Sequence, residues 1–153
     1  MRLKSLIVVA LFLSVIACKK KEPQTSCLQI TDNISLDKSL ENTWVLLGYK
    51  NQGEYCVPGS FSEISVTFDE SNSFKANLPC NQLYGEYEAY ETNINNIDFS
   101  KTTITEMACQ EELRNTWETI VLTGLSGESS YSINGKLLSI YSEEGIELIF
   151  LCE

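Results

Sequence analysis

The stretch YSINGKLLSIYSEEGIELIF, residues 131–150, constrains the fold more than any other part of this chain. It holds three alternating apolar runs, separated by Asn134-Gly135 and by Glu144-Gly145. Asn-Gly between alternating runs is the strongest short-range signal for a β-hairpin, and a period of two sends one set of side chains to a buried face. Two successive hairpins commit this part of the chain to an antiparallel sheet.

The same pattern recurs upstream. TWVLLGYK (43–50) is apolar and aromatic and stops at polar Asn51-Gln52-Gly53. FSEISVTF (61–68) alternates, with Phe61, Ile64, Val66 and Phe68 as the expected buried members, and DESN turns it into SFKANL as a second hairpin. QLYGEYEAY follows, then the weaker NINNIDF. One segment has a different period: CQEELRNTWETIVLTG places Leu113, Trp117, Ile120 and Val121 on one face of a helix. Glu111 and Glu112 suit the positive end of its dipole, and Gly124 ends it. The expected fold is therefore mainly β (α+β). It has about eight strands, mostly antiparallel, with one helix inserted after the fifth and packed on a sheet face.

The other end of the sequence speaks to location. Arg2 and Lys4 precede an apolar run, Leu6 to Ile16, of about eleven residues, which fits a signal peptide and falls short of the roughly 20 needed to cross a bilayer. Val15-Ile16-Ala17-Cys18 resembles the lipobox of bacterial lipoproteins. That resemblance implies cleavage after residue 17, a diacylglyceryl group on Cys18 and a membrane tether, which supplies the two acyl chains that stable anchoring takes. Residues 18–39 then read as the lipidated Cys and a flexible stalk, with Lys19, Lys20 and Lys21 placed to meet lipid headgroups. About 115 residues remain, enough for one domain with a real core.

Charge narrows the partners. Twenty-one acids against 11 bases give −10, and loss of Arg2 and Lys4 with the signal takes the mature chain to −12. Such a surface is wrong for nucleic acid, whose binding needs a basic face.

Several catalytic chemistries find no support. The chain has no histidine, which removes Ser-His and Cys-His nucleophiles and the commonest metal ligand. Its six cysteines contain no C-x-x-C pair, GLSGE (124–128) misses the nucleophile-elbow spacing, and DESNS (69–73) lacks the Gly and distal Glu of a calcium loop. No metal, cofactor or catalytic residue is expected. Adjacent acids (Asp69/Glu70, Glu86/Glu88, Glu111/Glu112, Glu143/Glu144) are what a carboxylate hydrolase would draw on, and with 21 acids such pairs also arise by chance. Asn81, Tyr84, Tyr87 and Tyr90 form a candidate binding face on one strand, the basis of an alternative reading as a small-ligand-binding β-domain.

Cysteines of an exported chain default to disulfides. Cys80 and Cys109 sit at element boundaries, where a bridge joins helix to sheet. Closing that loop contributes about 3.6 kcal/mol in the chain-entropy model.

Taken together, NTWVLLGY, FKANLPCNQLYGEY, TEMAC followed by a helix, and the closing hairpins resemble the META domain of HslJ-type bacterial envelope lipoproteins, over residues 40–153. The resemblance implies a compact antiparallel sheet or barrel-like fold with one helix and no established catalytic residues. It also implies an envelope-stress or integrity role, in the outer membrane facing the periplasm or at the cell surface, with an envelope protein as partner. Pro79 and Glu106 depart from the family pattern, which has a small residue and Arg there. Cys27, Cys56 and Cys152 lie outside that pattern; a second bridge is expected between Cys56 and Cys152, leaving Cys27 in the stalk.

Overall fold

The structure, a computed structural model, describes residues 39–59, 64–90 and 95–153. Its elements are β1 (Thr43–Asn51), β2 (Glu54–Cys56), β3 (Ser65–Phe68), β4 (Ser73–Asn77), β5 (Gln82–Tyr90), β6 (Asn96–Ile104), α1 (Glu112–Gly124), β7 (Gly127–Asn134), β8 (Leu137–Ser142) and β9 (Ile146–Cys152). The sheet runs β2-β1-β3-β4-β5-β6-β7-β8-β9, and β1 also pairs with β9. Eight strands thus close an antiparallel barrel, and β2 is an extra strand outside the ring. Closure removes the exposed edges that an open sheet of this length would leave.

β1 makes the closure possible because it is long enough to serve two neighbours on one side. Its first residues, Thr43 to Val45, pair with β3, and its last, Tyr49 to Asn51, pair with β2. Along its other side it pairs with β9 from Trp44 to Asn51. The strand-period reading holds where it can be followed: Ile64, Val66 and Phe68 are buried, while Phe61 lies outside the described residues. An eight-stranded ring is just wide enough for side chains to fill. Here Trp44, Phe68, Phe150, Leu138, Ile140 and Leu148 fill it, each 2% exposed or less. Phe68, Phe74, Tyr87 and Phe99 form an aromatic cluster with ring centroids 5.0–6.2 Å apart, an arrangement worth more than its buried area alone.

Both glycine-bearing turns fall where the sequence places them, with one change of register. Asn134 pairs with Leu137, so the loop is Gly135-Lys136, and Gly135 takes the left-handed conformation at φ 61°. The glycine at the first loop position is the signature of a type II′ turn.

The helix departs from its expected face. Leu113 is 48% exposed, whereas Trp117, Glu118, Val121 and Gly124 are buried, followed by Leu125. At about 100° per residue these centre on Val121, leaving Leu113 about 80° off the centre of the stripe. Trp117 meets Tyr49 edge to face at 5.1 Å. The helix approaches β9 so closely that a Cβ on Gly124 falls 2.4 Å from Leu148 Cδ1. That close approach accounts for a glycine here, with no unusual backbone angle required.

Candidate functional site

Cys80 and Cys109 are joined in a disulfide, with Cα atoms 5.7 Å apart. The bridge ties the β4–β5 connection to the segment leading into α1. Between them, Asn81 is 7% exposed and uses both ends of its amide. Its Oδ1 accepts from Met107 N–H at 2.7 Å and from the Thr105 hydroxyl at 2.9 Å. Its Nδ2 donates to Met107 O at 3.1 Å and to Glu118 Oε1 at 2.6 Å. The two blocks NLPCNQ and TEMAC are therefore held together by one side chain reading the backbone of the other block.

Glu118 completes this hub, and sequence reasoning missed it. It is 6% exposed, and its Oε2 accepts the backbone N–H groups of Cys80 at 3.2 Å and Asn81 at 3.1 Å. A carboxylate accepting from backbone N–H groups makes stronger hydrogen bonds than a neutral acceptor. The one available signal was its position beside Trp117, on the flank of the helical stripe. Cys80, Cys109 and Glu118 converge within 4.8 Å, a grouping that with free thiols would suit a metal ion. With the two sulfurs bonded to each other, no thiolate ligand is left. The hub is a staple with a hydrogen-bonded clasp.

The second expected bridge is corrected. Cys152 is a free thiol, and Cys56, though disulfide-bonded, is not bonded to it. The register explains why: Cys152 lies opposite Trp44 and Cys56 opposite Tyr49, five residues further along β1. At about 3.3 Å per residue that is roughly 16 Å, far beyond the 4.4–6.8 Å Cα separation of a disulfide. Cys18 and Cys27 lie outside the described residues.

The candidate binding face does not assemble. Tyr87 points inward, is 5% exposed and donates its hydroxyl to Asp69 O at 2.9 Å. Burial, then the nearby Glu41, Asp69 and Tyr131, push its pKa up to about 12. Tyr84 points outward, bonded to Gln82 and with the Lys75 ammonium 5.6 Å above its ring. Asn81 is locked in the hub. Tyr90 alone reaches a cleft, an open one of about 510 Å³.

Of the paired acids, Asp69 is engaged locally. Its Oδ1 accepts Ser71 N–H at 2.9 Å and Ser73 N–H at 3.1 Å, and both serine hydroxyls donate to the carboxylate. The hydroxyls of Ser71 and Ser73 are the main reason its pKa falls from 3.8 to about 2, the opposite of what a general acid needs. Glu86 pairs with Lys101 at 2.7 Å and Glu111 with Arg114 at 3.1 Å. No helix among the described residues is long and apolar enough to cross a membrane.

A closed antiparallel barrel whose helix is stapled and clasped to the sheet by Cys80, Asn81, Cys109 and Glu118 defines a structural domain type in which these polar residues serve the scaffold. The chain belongs to the META domain family, whose model matches residues 37–153. In fold it is similar to a protein from Burkholderia xenovorans solved by NMR, at 21% identity and a TM-score of 0.59, covering 77% of this chain and 83% of that one. A second protein solved by NMR is similar at 15% identity and a TM-score of 0.57, covering 78% and 96%. A DUF4847 family protein from Bacteroides vulgatus, a crystal structure, is similar at 11% identity and a TM-score of 0.50, covering 72% and 92%. None of the curated proteins compared matches this chain.

Proposed function

We propose that this protein is a lipid-tethered, non-enzymatic component of the bacterial envelope, of the HslJ type, whose META domain acts by binding. The observation that carries this is the state of the hub. The residues with the most chemical potential in the family-like blocks are engaged internally: the thiols with each other, Asn81 at both ends of its amide, and Glu118 with three N–H donors. What such a domain offers its surroundings is surface. The lipobox at Cys18 and the three lysines after it support a tether that holds that surface near a membrane.

Acylation is the test. A palmitate analogue fed to expressing cells should label the wild type and leave Cys18→Ser unlabelled, and the variant should move to the soluble envelope fraction. The wild type should also restore growth of a deletion strain under envelope stress where Cys18→Ser fails. Membrane retention of the unlabelled variant, or full rescue by it, would refute the tethered reading.

A further inference from the structure

The cysteines leave one bond with an unassigned half. The chain has six. Cys80 and Cys109 are bonded to each other, Cys152 is free, and Cys56 is disulfide-bonded. The other half of the Cys56 bridge is therefore Cys18 or Cys27, since the chain has no further cysteine. A sulfur that carries a diacylglyceryl group is a thioether and forms no disulfide. With Cys18 acylated, Cys27 is the thiol left for Cys56.

Reach permits this bond. Leu40 is fixed beside the start of β1, where its carbonyl accepts the Trp44 indole N–H at 2.9 Å. Cys56 lies opposite Tyr49, five residues beyond Trp44 along the same strand, or about 16 Å. Thirteen residue steps separate Cys27 from Leu40, and an extended chain covers about 43 Å in that many. The fold also gives the bond something to hold. β2 is three residues long, and its ladder partners are Tyr49, Lys50 and Asn51 of β1. A strand that short, paired along one side, is marginal by itself. Cys56 is its last residue and is 9% exposed, opposite Tyr49, which packs edge to face on Trp117. A bridge there ties β2 down and is shielded from soluble thiols.

We propose that Cys27 and Cys56 form a disulfide that fastens the chain to β2 and so sets the length and the attachment point of the membrane tether. The assignment rests on the reading of Cys18 as the acylated residue. Two S–H bonds are lost and one S–S bond forms. The two protons and two electrons pass to a protein disulfide of the envelope, which is reduced to its dithiol. Without the bridge, the chain from Cys18 to Leu40 reaches about 70 Å when extended, and the barrel hangs from the start of β1. With it, the free length ends at Cys27, about 30 Å from the anchor, and the barrel hangs from β2. The bridge thus brings the β2 end of the barrel closest to the lipid.

The experiment is peptide mapping of the full lipoprotein, taken from membranes in non-ionic detergent and alkylated in denaturant before any reduction. A cross-linked pair of peptides carrying Cys27 and Cys56 is expected, with Cys152 alkylated and Cys18 acylated. Alkylated Cys56 beside an acylated Cys18 would overturn the bridge and leave the tether standing. A bond from Cys56 to Cys18 would overturn both. A second measurement reads the tether, through a site-specific protease sequence inserted between Asn33 and Ile34. After cleavage on isolated membranes, the barrel should stay with the membrane fraction and leave it only when reductant is added. In Cys27→Ser, cleavage alone should release it. Release of the wild-type barrel without reductant, or retention of the cleaved Cys27→Ser barrel, would overturn the proposal.

Discussion

Glu118→Ala tests whether the clasp holds the helix to the barrel. The substitution removes the acceptor for Cys80 N–H, Asn81 N–H and one Asn81 amide hydrogen. Asn81 Nδ2 keeps Met107 O as a partner, so the two backbone donors are the groups left bare. A buried donor without a partner costs about 1–3 kcal/mol. Two of them give about 2–6 kcal/mol, against a total stability of about 5–15 kcal/mol for an ordinary domain. For a domain of this size that corresponds to a fall in Tm of roughly 10 °C or more. Glu118→Gln keeps one carbonyl oxygen and places an NH₂ against a donor, so it should fall between wild type and Ala. Urea unfolding followed by tryptophan fluorescence reads the difference, because Trp117 is the residue before and is buried. An unfolding free energy for Glu118→Ala within about 0.5 kcal/mol of wild type at unchanged m, the range of ordinary surface substitutions, would show that the clasp contributes nothing.

Three further outcomes follow from the packing and the titrating groups. Gly124→Ala gains about 1 kcal/mol in helix propensity but drives a methyl against buried Leu148, an overpacking cost of about 1–3 kcal/mol, so it should be neutral to destabilising in equilibrium unfolding; clear stabilisation would contradict the close approach. The Asp69 carboxyl sits below its unfolded value of 3.8, at about 2, so its contribution is present above about pH 4 and is lost as pH falls through 2; Asp69→Ala should flatten the acid limb of stability across that window. Tyr87 has the opposite sign, with a folded value near 12 against 10.0 unfolded, so its contribution is present below pH 10 and is lost as pH rises through 12. Tyr87→Phe should remove that alkaline dependence and cost about 1 kcal/mol at neutral pH for the bond to Asp69 O, measured by circular dichroism of the alkaline transition.

The elements legible in the sequence are those that local chemistry dictates. The two C-terminal hairpins are written in alternation plus glycine, and Gly135 and Gly145 do take positive φ, at 61° and 80°. The helix is written in its period, although which flank of the stripe goes inward was not. That choice is made by the barrel, which offers Tyr49 and Leu148 to Trp117 and Gly124 and leaves Leu113 uncovered. β2 is only Glu54 to Cys56, too short to carry a pattern, and it exists because the far end of β1 has no β3 beside it. β6 runs on through Ser100 to Ile104, past the apolar NINNIDF, through a polar stretch with Lys101 at φ 49° and a bulge opposite Tyr84 and Glu86. Propensity could not extend that strand, since pairing with β5 is what stabilises it.

The same distinction separates the two places where chemistry was sought. Cysteine, asparagine and paired glutamates drew attention because their side chains can react or ligate, yet a side chain's availability depends on its partners in the fold. Asn81 and Glu118 are 37 residues apart, and only the folded chain reveals that each saturates the other. Conversely, Glu88, Asp98 and Glu128 look like three entries in an acidic surplus until strand register sets them opposite one another. A row of opposed carboxylates is locally unfavourable, because like charges directly across a sheet repel one another. The hub shows no such deficit, because every donor it faces has an acceptor. That contrast places the stable machinery of this domain at Cys80–Cys109, where burial and saturated hydrogen bonds coincide.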